Sequence, residues 1–156
     1  MVEQSVDASG DAGGSGVADR VRASFDRQGL MRLLGAELTD IRRGRVQIDL
    51  ARRPEVSQQH GYVHAGATSA IADTAGGYAA LTLMPERSEV LTVEYKLNLL
   101  APAVGERLEA MGMVLKSGRT LSVCKLEVYA VGDDEERKLV AAGQQTLISV
   151  HGGTAS

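Results

Sequence analysis

The sequence predicts an α+β domain in which an antiparallel sheet packs on one long buried helix. Three observations point there. Residues 65–83 are almost entirely Ala, Gly, Thr, Ser and aliphatic residues, small or apolar on every face, as a buried helix is. Four strand-like segments follow, joined by short connections rich in Gly, Pro and Asp, which favours sequential antiparallel hairpins. Ahead of the helix, Val46, Ile48 and Leu50 alternate with Gln47 and Asp49, the pattern of a half-buried strand.

Taken in order, residues 1–16 are Gly-, Ser-, Ala- and Asp-rich and are expected to be a disordered tail. The folded domain is expected over 17–150, with a short tail at 151–156 that includes His151. Val17, Val21, Phe25, Leu30, Leu33 and Leu34 recur at near-helical spacing, predicting one amphipathic helix over 17–34 that stops at Gly35. Strands are expected over 36–41 and 45–51, joined by a solvated Arg-Arg-Gly turn. Residues 52–63 read as a polar loop. The helix over 65–83 is stopped by Pro85. Its Gly76-Gly77 pair costs about 1 kcal/mol per glycine against alanine, which close packing or ligand access would compensate. Strands are expected over 89–100, 107–117, 120–131 and 138–150.

The chain has 156 residues, enough for one domain, and 44% are hydrophobic; with 3% aromatic, the core must be aliphatic. A net charge of −3 without a basic run or interleaved aromatics argues against nucleic-acid binding. The single cysteine, Cys124, excludes an intramolecular disulfide and a Cys-based zinc site, and its strand setting makes it a small core residue. No apolar run reaches the roughly 18 residues of a membrane span, and the N-terminus has no basic and apolar leader, so the expected location is the cytoplasm. No metal or other cofactor is called for.

Asp73 is the residue that stands out. It is a lone acid among Ala, Ile, Thr and Gly on the helix expected to be buried, where desolvation is costly unless the carboxylate is used. The start of that helix offers free backbone N–H groups. Asp73 lies more than two turns beyond Ala65, so one chain's carboxylate does not reach its own helix start.

Gln58, Gly61, His64-Ala65-Gly66 and Asp73, nine residues after the His, resemble the motif of the hotdog-fold thioesterases, specifically the phenylacetate-type (PaaI-like) branch. Ile71-Ala72-Asp73-Thr74-Ala75, Leu91-Thr92-Val93-Glu94-Tyr95, Pro102-Ala103-Val104-Gly105-Glu106 and Lys116-Ser117-Gly118-Arg119-Thr120 match its later segments in order. The resemblance implies a long antiparallel sheet wrapped around a central helix. It implies an acyl-CoA substrate, aryl or medium-chain, hydrolysed at sites formed between subunits of a homodimer or homotetramer. Asp73 would be the general base or nucleophile, and the N–H groups of Ala65 and Gly66 the oxyanion hole. Gln58 would orient water or contact the thioester, and the Thr92 hydroxyl would assist the water. Gly61, Tyr62, His64, Val93, Lys116, Ser117 and Arg119 would contact substrate, the hairpin cations through coenzyme A phosphates unless they form a solvated turn. His64 is expected to anchor the loop rather than act as base, and His60 to be a solvated loop residue. Tyr62 and Tyr78 suit an acyl pocket or core packing. Ala65 departs from His-Gly-Gly; it keeps its N–H, and its methyl narrows the approach. The alternatives are a non-catalytic acyl-CoA-binding protein and, below it, a hydratase or dehydratase.

Overall fold

The computed structural model describes residues 12–151. Of the expected tails, residues 1–11 and 152–156 lie outside the described residues. Residues 12–16 instead begin the first helix, and His151 ends the last strand. Helix extension costs little once a turn exists, so composition alone misplaces such an end.

The helix expected over 17–34 is two: α1, Ala12–Phe25, and α2, Gly29–Leu34. Gln28 breaks them. Its backbone is extended, and its side chain turns inward to donate to the Tyr78 hydroxyl at 2.9 Å. Val21 and Phe25 enter the core as expected, but in α2 Met31 is buried while Leu30 and Leu33 are exposed. Gly35 ends α2 in the left-handed conformation.

Six strands form one antiparallel sheet: β1 Ala36–Arg42, β2 Arg45–Ala51, β3 Ser88–Leu99, β4 Arg107–Ser117, β5 Leu121–Val131 and β6 Arg137–His151, in the order β1-β2-β4-β5-β6-β3. The run is therefore not one of sequential hairpins throughout. β3 pairs with β6, at the opposite edge from β1, and β2 pairs with β4. The segment after β3 crosses the sheet's end. Leu100 N–H donates to Val140 O at 2.8 Å and Glu106 N–H to Val131 O at 2.8 Å, so the crossing chain caps β6 and β5 before entering β4. Pro102 has no N–H to donate to a ladder, so β3 does not continue through this segment.

The central helix α3, Ala65–Leu81, lies against the sheet's inner face. Val46, Ile48 and Leu50 of β2, Leu108 and Ala110 of β4, and Leu126 and Val128 of β5 pack on its Ile71, Ala72, Ala75 and Ala79. Burial of each larger side chain contributes roughly 1.5–3 kcal/mol. The approach is close because β4 has Gly112 where a Cβ would strike the Ala75 and Gly76 backbone. The outer face is charged: Arg107 binds Glu109 and Glu135, and Arg137 binds Glu109.

The helix ends at Leu81, before the expected Leu83. Thr82 Oγ1 donates back to Ala79 O at 2.7 Å and accepts the Gly44 N–H at 2.7 Å. Arg20 of α1 donates to Leu81 O at 2.6 Å and Pro85 O at 2.7 Å, tying α1 to the end of α3 and the turn after it. No helix among the described residues is long and apolar enough to cross a membrane.

Candidate active site

The segment before α3 is a closed turn rather than an open loop. Gln58 N–H donates to Tyr62 O at 2.8 Å and Gly61 N–H to Gln58 O at 2.9 Å, with Ser57 and Val63 bridged across the base. Gly61 has φ 82°, a conformation glycine adopts without strain. The Gln58 side-chain oxygen accepts the His60 N–H, so the amide nitrogen is the end of Gln58 left to meet a ligand. His64 N–H donates to Val56 O at 2.8 Å, fixing where the helix begins.

His64 is the N-cap of α3. Its Nδ1 accepts the Gly66 N–H at 2.8 Å, so Nδ1 carries no proton. A Cβ at Gly66 would sit 3.0 Å from that nitrogen. Of the two N–H groups expected to bind an oxyanion, Gly66's is thus already occupied. Ala65, the first helical residue, has no carbonyl four residues back within the helix and donates to no loop carbonyl among the described residues. Its N–H is the open donor. Gln58, Tyr62, His64, Ala65 and Thr68 line one wall of a cleft of about 550 Å³, opposite Leu99 to Ala103 and Val140.

Asp73 lies two to three turns along α3, half-buried. Thr92 Oγ1 of β3 donates to Asp73 Oδ1 at 2.7 Å. Gln145 of β6, fully buried, donates from Nε2 to the same Oδ1, to Asp73 O at 3.1 Å and to Thr92 Oγ1 at 3.0 Å. Gln145 Oε1 is buried without a partner, a cost of about 1–3 kcal/mol. The carboxylate opens on a second cleft, of about 340 Å³, lined by Ser24, Gln28, Gly77, Tyr78, Leu91 and Thr92 among others. Tyr78 is buried there, its hydroxyl donating to Ser24 at 3.1 Å and accepting from Gln28.

The fold thus brings Asp73 and Thr92 together and keeps both away from the helix start; the two clefts share no residue. Val93 is exposed beside Thr92 on the unpaired edge of β3. Lys116, Ser117 and Arg119 sit at the β4–β5 hairpin, whose far side is bonded to Ser149 near the end of β6, whereas the Gln58 turn adjoins the Leu99–Ala103 crossing at the other end of β3. His60 is exposed, as expected. Gln145, Ser24 of α1 and Gln28 between α1 and α2 were not expected at the site. The available signal was that Gln145 is two residues from Leu147, hence on the same inward face.

Comparison with known proteins agrees with this architecture. The family model described as the thioesterase superfamily matches residues 60–136. A thioesterase family protein from Silicibacter pomeroyi, of known crystal structure, is 43% identical, covering 87% of this chain and 99% of that one at a TM-score of 0.84. The E. coli PaaI protein from the phenylacetic acid degradation operon shares the fold at a TM-score of 0.76 and 19% identity, covering 87% of this chain and 94% of its own. The 1,4-dihydroxy-2-naphthoyl-CoA hydrolase of Listeria monocytogenes is 24% identical over 119 residues, 76% of this chain and 94% of that protein. The chain belongs to the thioesterase superfamily and has its hotdog fold, a six-stranded antiparallel sheet around a central helix.

Proposed function

We propose that the protein is an acyl-CoA thioesterase acting on an aryl or medium-chain acyl group, with Asp73 as the reacting carboxylate. The observation that carries this reading is the half-buried Asp73, oriented by hydrogen bonds and open to a cleft, in a chain of the thioesterase superfamily. The hydrolase name of the Listeria monocytogenes relative supports a CoA thioester as substrate.

In the reaction, oxygen from water ends in the free acid, the acyl C–S bond breaks, and the thiol of CoA leaves with a proton. Asp73 either takes the proton from the attacking water or attacks the carbonyl itself, forming an anhydride that water then opens. The Ala65 N–H, at the positive end of the helix dipole, stabilises the developing oxyanion.

The separation of the two clefts supports a site completed by a second copy, with the helix start of one subunit facing Asp73 of the other. The edge strand β3 supports the same assembly. Leu91, Val93, Tyr95 and Leu99 are about half exposed along it, at 55%, 58%, 45% and 57%. An unpaired apolar edge is a liability that pairing with a second copy removes. The other edge, β1, bears Glu37, Asp40 and Arg42 instead.

The test is thiol release from a panel of acyl-CoAs, acetyl to palmitoyl with phenylacetyl and benzoyl, for wild type beside Asp73→Asn, with mass in solution by light scattering. Hydrolysis that collapses in the variant, by a dimer or tetramer, is expected. An active monomer would overturn the two-copy site. CoA-ester binding without turnover of any panel member would overturn the hydrolase reading.

A further inference from the structure

We propose that Gln145 is a positioning residue that holds Asp73 by Oδ1 and leaves Oδ2 as the oxygen that meets water or thioester. The inference rests on Asp73 being the reacting carboxylate. A primary amide has two N–H donors and a hydroxyl has one. One Gln145 N–H goes to Thr92 Oγ1, which turns the single Thr92 proton onto Asp73 Oδ1. The other goes to Asp73 itself. Both donors converge on Oδ1, and Oδ2 accepts from no group among the described residues. The carboxylate is therefore turned with one oxygen committed and the other presented.

The other end of the amide shows what this arrangement requires. Gln145 Oε1 lies over Gly76, where any Cβ would collide with it and would also sit 2.7 Å from Leu126 Cδ2. At neighbouring Gly77 a Cβ would meet nothing closer than 3.9 Å. Of the two helix-weakening glycines, Gly76 is the one that makes room for Gln145. The amide cannot reverse, because its oxygen would then face the Asp73 carboxylate. A methionine would fill the same space with no orphaned oxygen. A polar group retained in an apolar layer at that cost is explained by the need of Asp73 and Thr92 for a donor.

The experiment measures kcat, KM and thermal midpoint for Gln145→Met, Gly76→Ala and the double variant, beside Asp73→Asn, on the best acyl-CoA substrate. Gln145→Met should lower kcat by about 10- to 100-fold through misplacement of the carboxylate, with KM nearly unchanged. Gly76→Ala should lower kcat by pushing the amide aside. In the Gln145→Met background it should cause no further loss of kcat, and a merely structural role would instead lower the thermal midpoint without a selective fall in kcat. If Gln145→Met does not fold, a selective loss of kcat in Gly76→Ala supports the proposal, and wild-type kcat there overturns it. Wild-type kcat in Gln145→Met, with Asp73→Asn inactive, would overturn the role of Gln145 and leave the thioesterase reading standing. Wild-type kcat in Asp73→Asn would remove Asp73 from the chemistry and overturn this inference with it, while the hydrolysis itself would stand.

Discussion

The two halves of the candidate site are built in different ways. The helix-start half is local: Val56, Gln58, Gly61, Tyr62 and His64 lie within one short turn and bond to one another. The Asp73 half is assembled from far along the chain, with Thr92 and Gln145 arriving on β3 and β6. A local turn needs only its own hydrogen bonds, whereas the Asp73 cluster exists only once β3 has been laid beside β6. The first half is thus an attribute of sequence and the second of topology.

Asp73→Asn is expected to break the second half most severely. An amide cannot take a proton from water or attack as a carboxylate does, so kcat should fall by about 10³-fold with the fold retained. Thiol release under saturating substrate reads this directly, and a loss below tenfold would remove Asp73 from the chemistry. Ala65→Pro is the matching break in the first half. Proline is tolerated at the first position of a helix, and His64 already has an extended backbone, φ −62° and ψ 139°, that accepts a following proline. The substitution deletes the open N–H and little else. A fall in kcat of about 10²- to 10³-fold is expected if that N–H binds the oxyanion; unchanged turnover would mean the donor lies elsewhere.

This contrast also explains what could be read from the chain beforehand. The spacing of Gln58, Gly61, His64 and Asp73 is visible in sequence because the turn and helix are contiguous. The interior alternation of Val46, Ile48 and Leu50 is visible for the same reason. The pairing of β3 with β6 is not, because the crossing segment after Leu99 reads like any short connection until its bonds to Val140 and Val131 are known. Gln145 was legible only as a residue two positions from Leu147 on the inward face; that it meets Asp73 depends on β6 lying beside β3, in the register Tyr95↔Gln145. The Gln28 break in the first helix likewise comes from Tyr78, distant in sequence.

His64→Ala should sharpen the distinction between holding the turn and doing chemistry. It removes the cap on Gly66 N–H, which is expected to cost about 1 kcal/mol in unfolding free energy by urea denaturation. Turnover should suffer far less than in Ala65→Pro. A loss of kcat as large as that of Asp73→Asn, without loss of stability, would instead give His64 a chemical role.

Cys124 gives the mildest probe, and it reports on the Asp73 half alone. It lies on β5 beneath α3, fully buried, with its thiol directed to Gly76 O at 3.5 Å and adjacent in register to Gln145. Burial pushes the thiol up from about 9 to about 12, the Ala80 backbone opposing only in part. The folded value exceeds the unfolded one, so stability from this group is fully present below about pH 9 and is lost as pH rises towards 12. Two outcomes follow. Midpoints of chemical denaturation should decline across that window, less so in Cys124→Ala, where nothing ionises. At pH 8 a thiol reagent should label the native protein only as fast as the sheet opens globally, since the sulfur is reached only when α3 leaves β5. Prompt labelling of the native protein would show that the helix lifts locally over Gly76. The Asp73 half would then be the looser of the two, contrary to what its dependence on three packed elements implies.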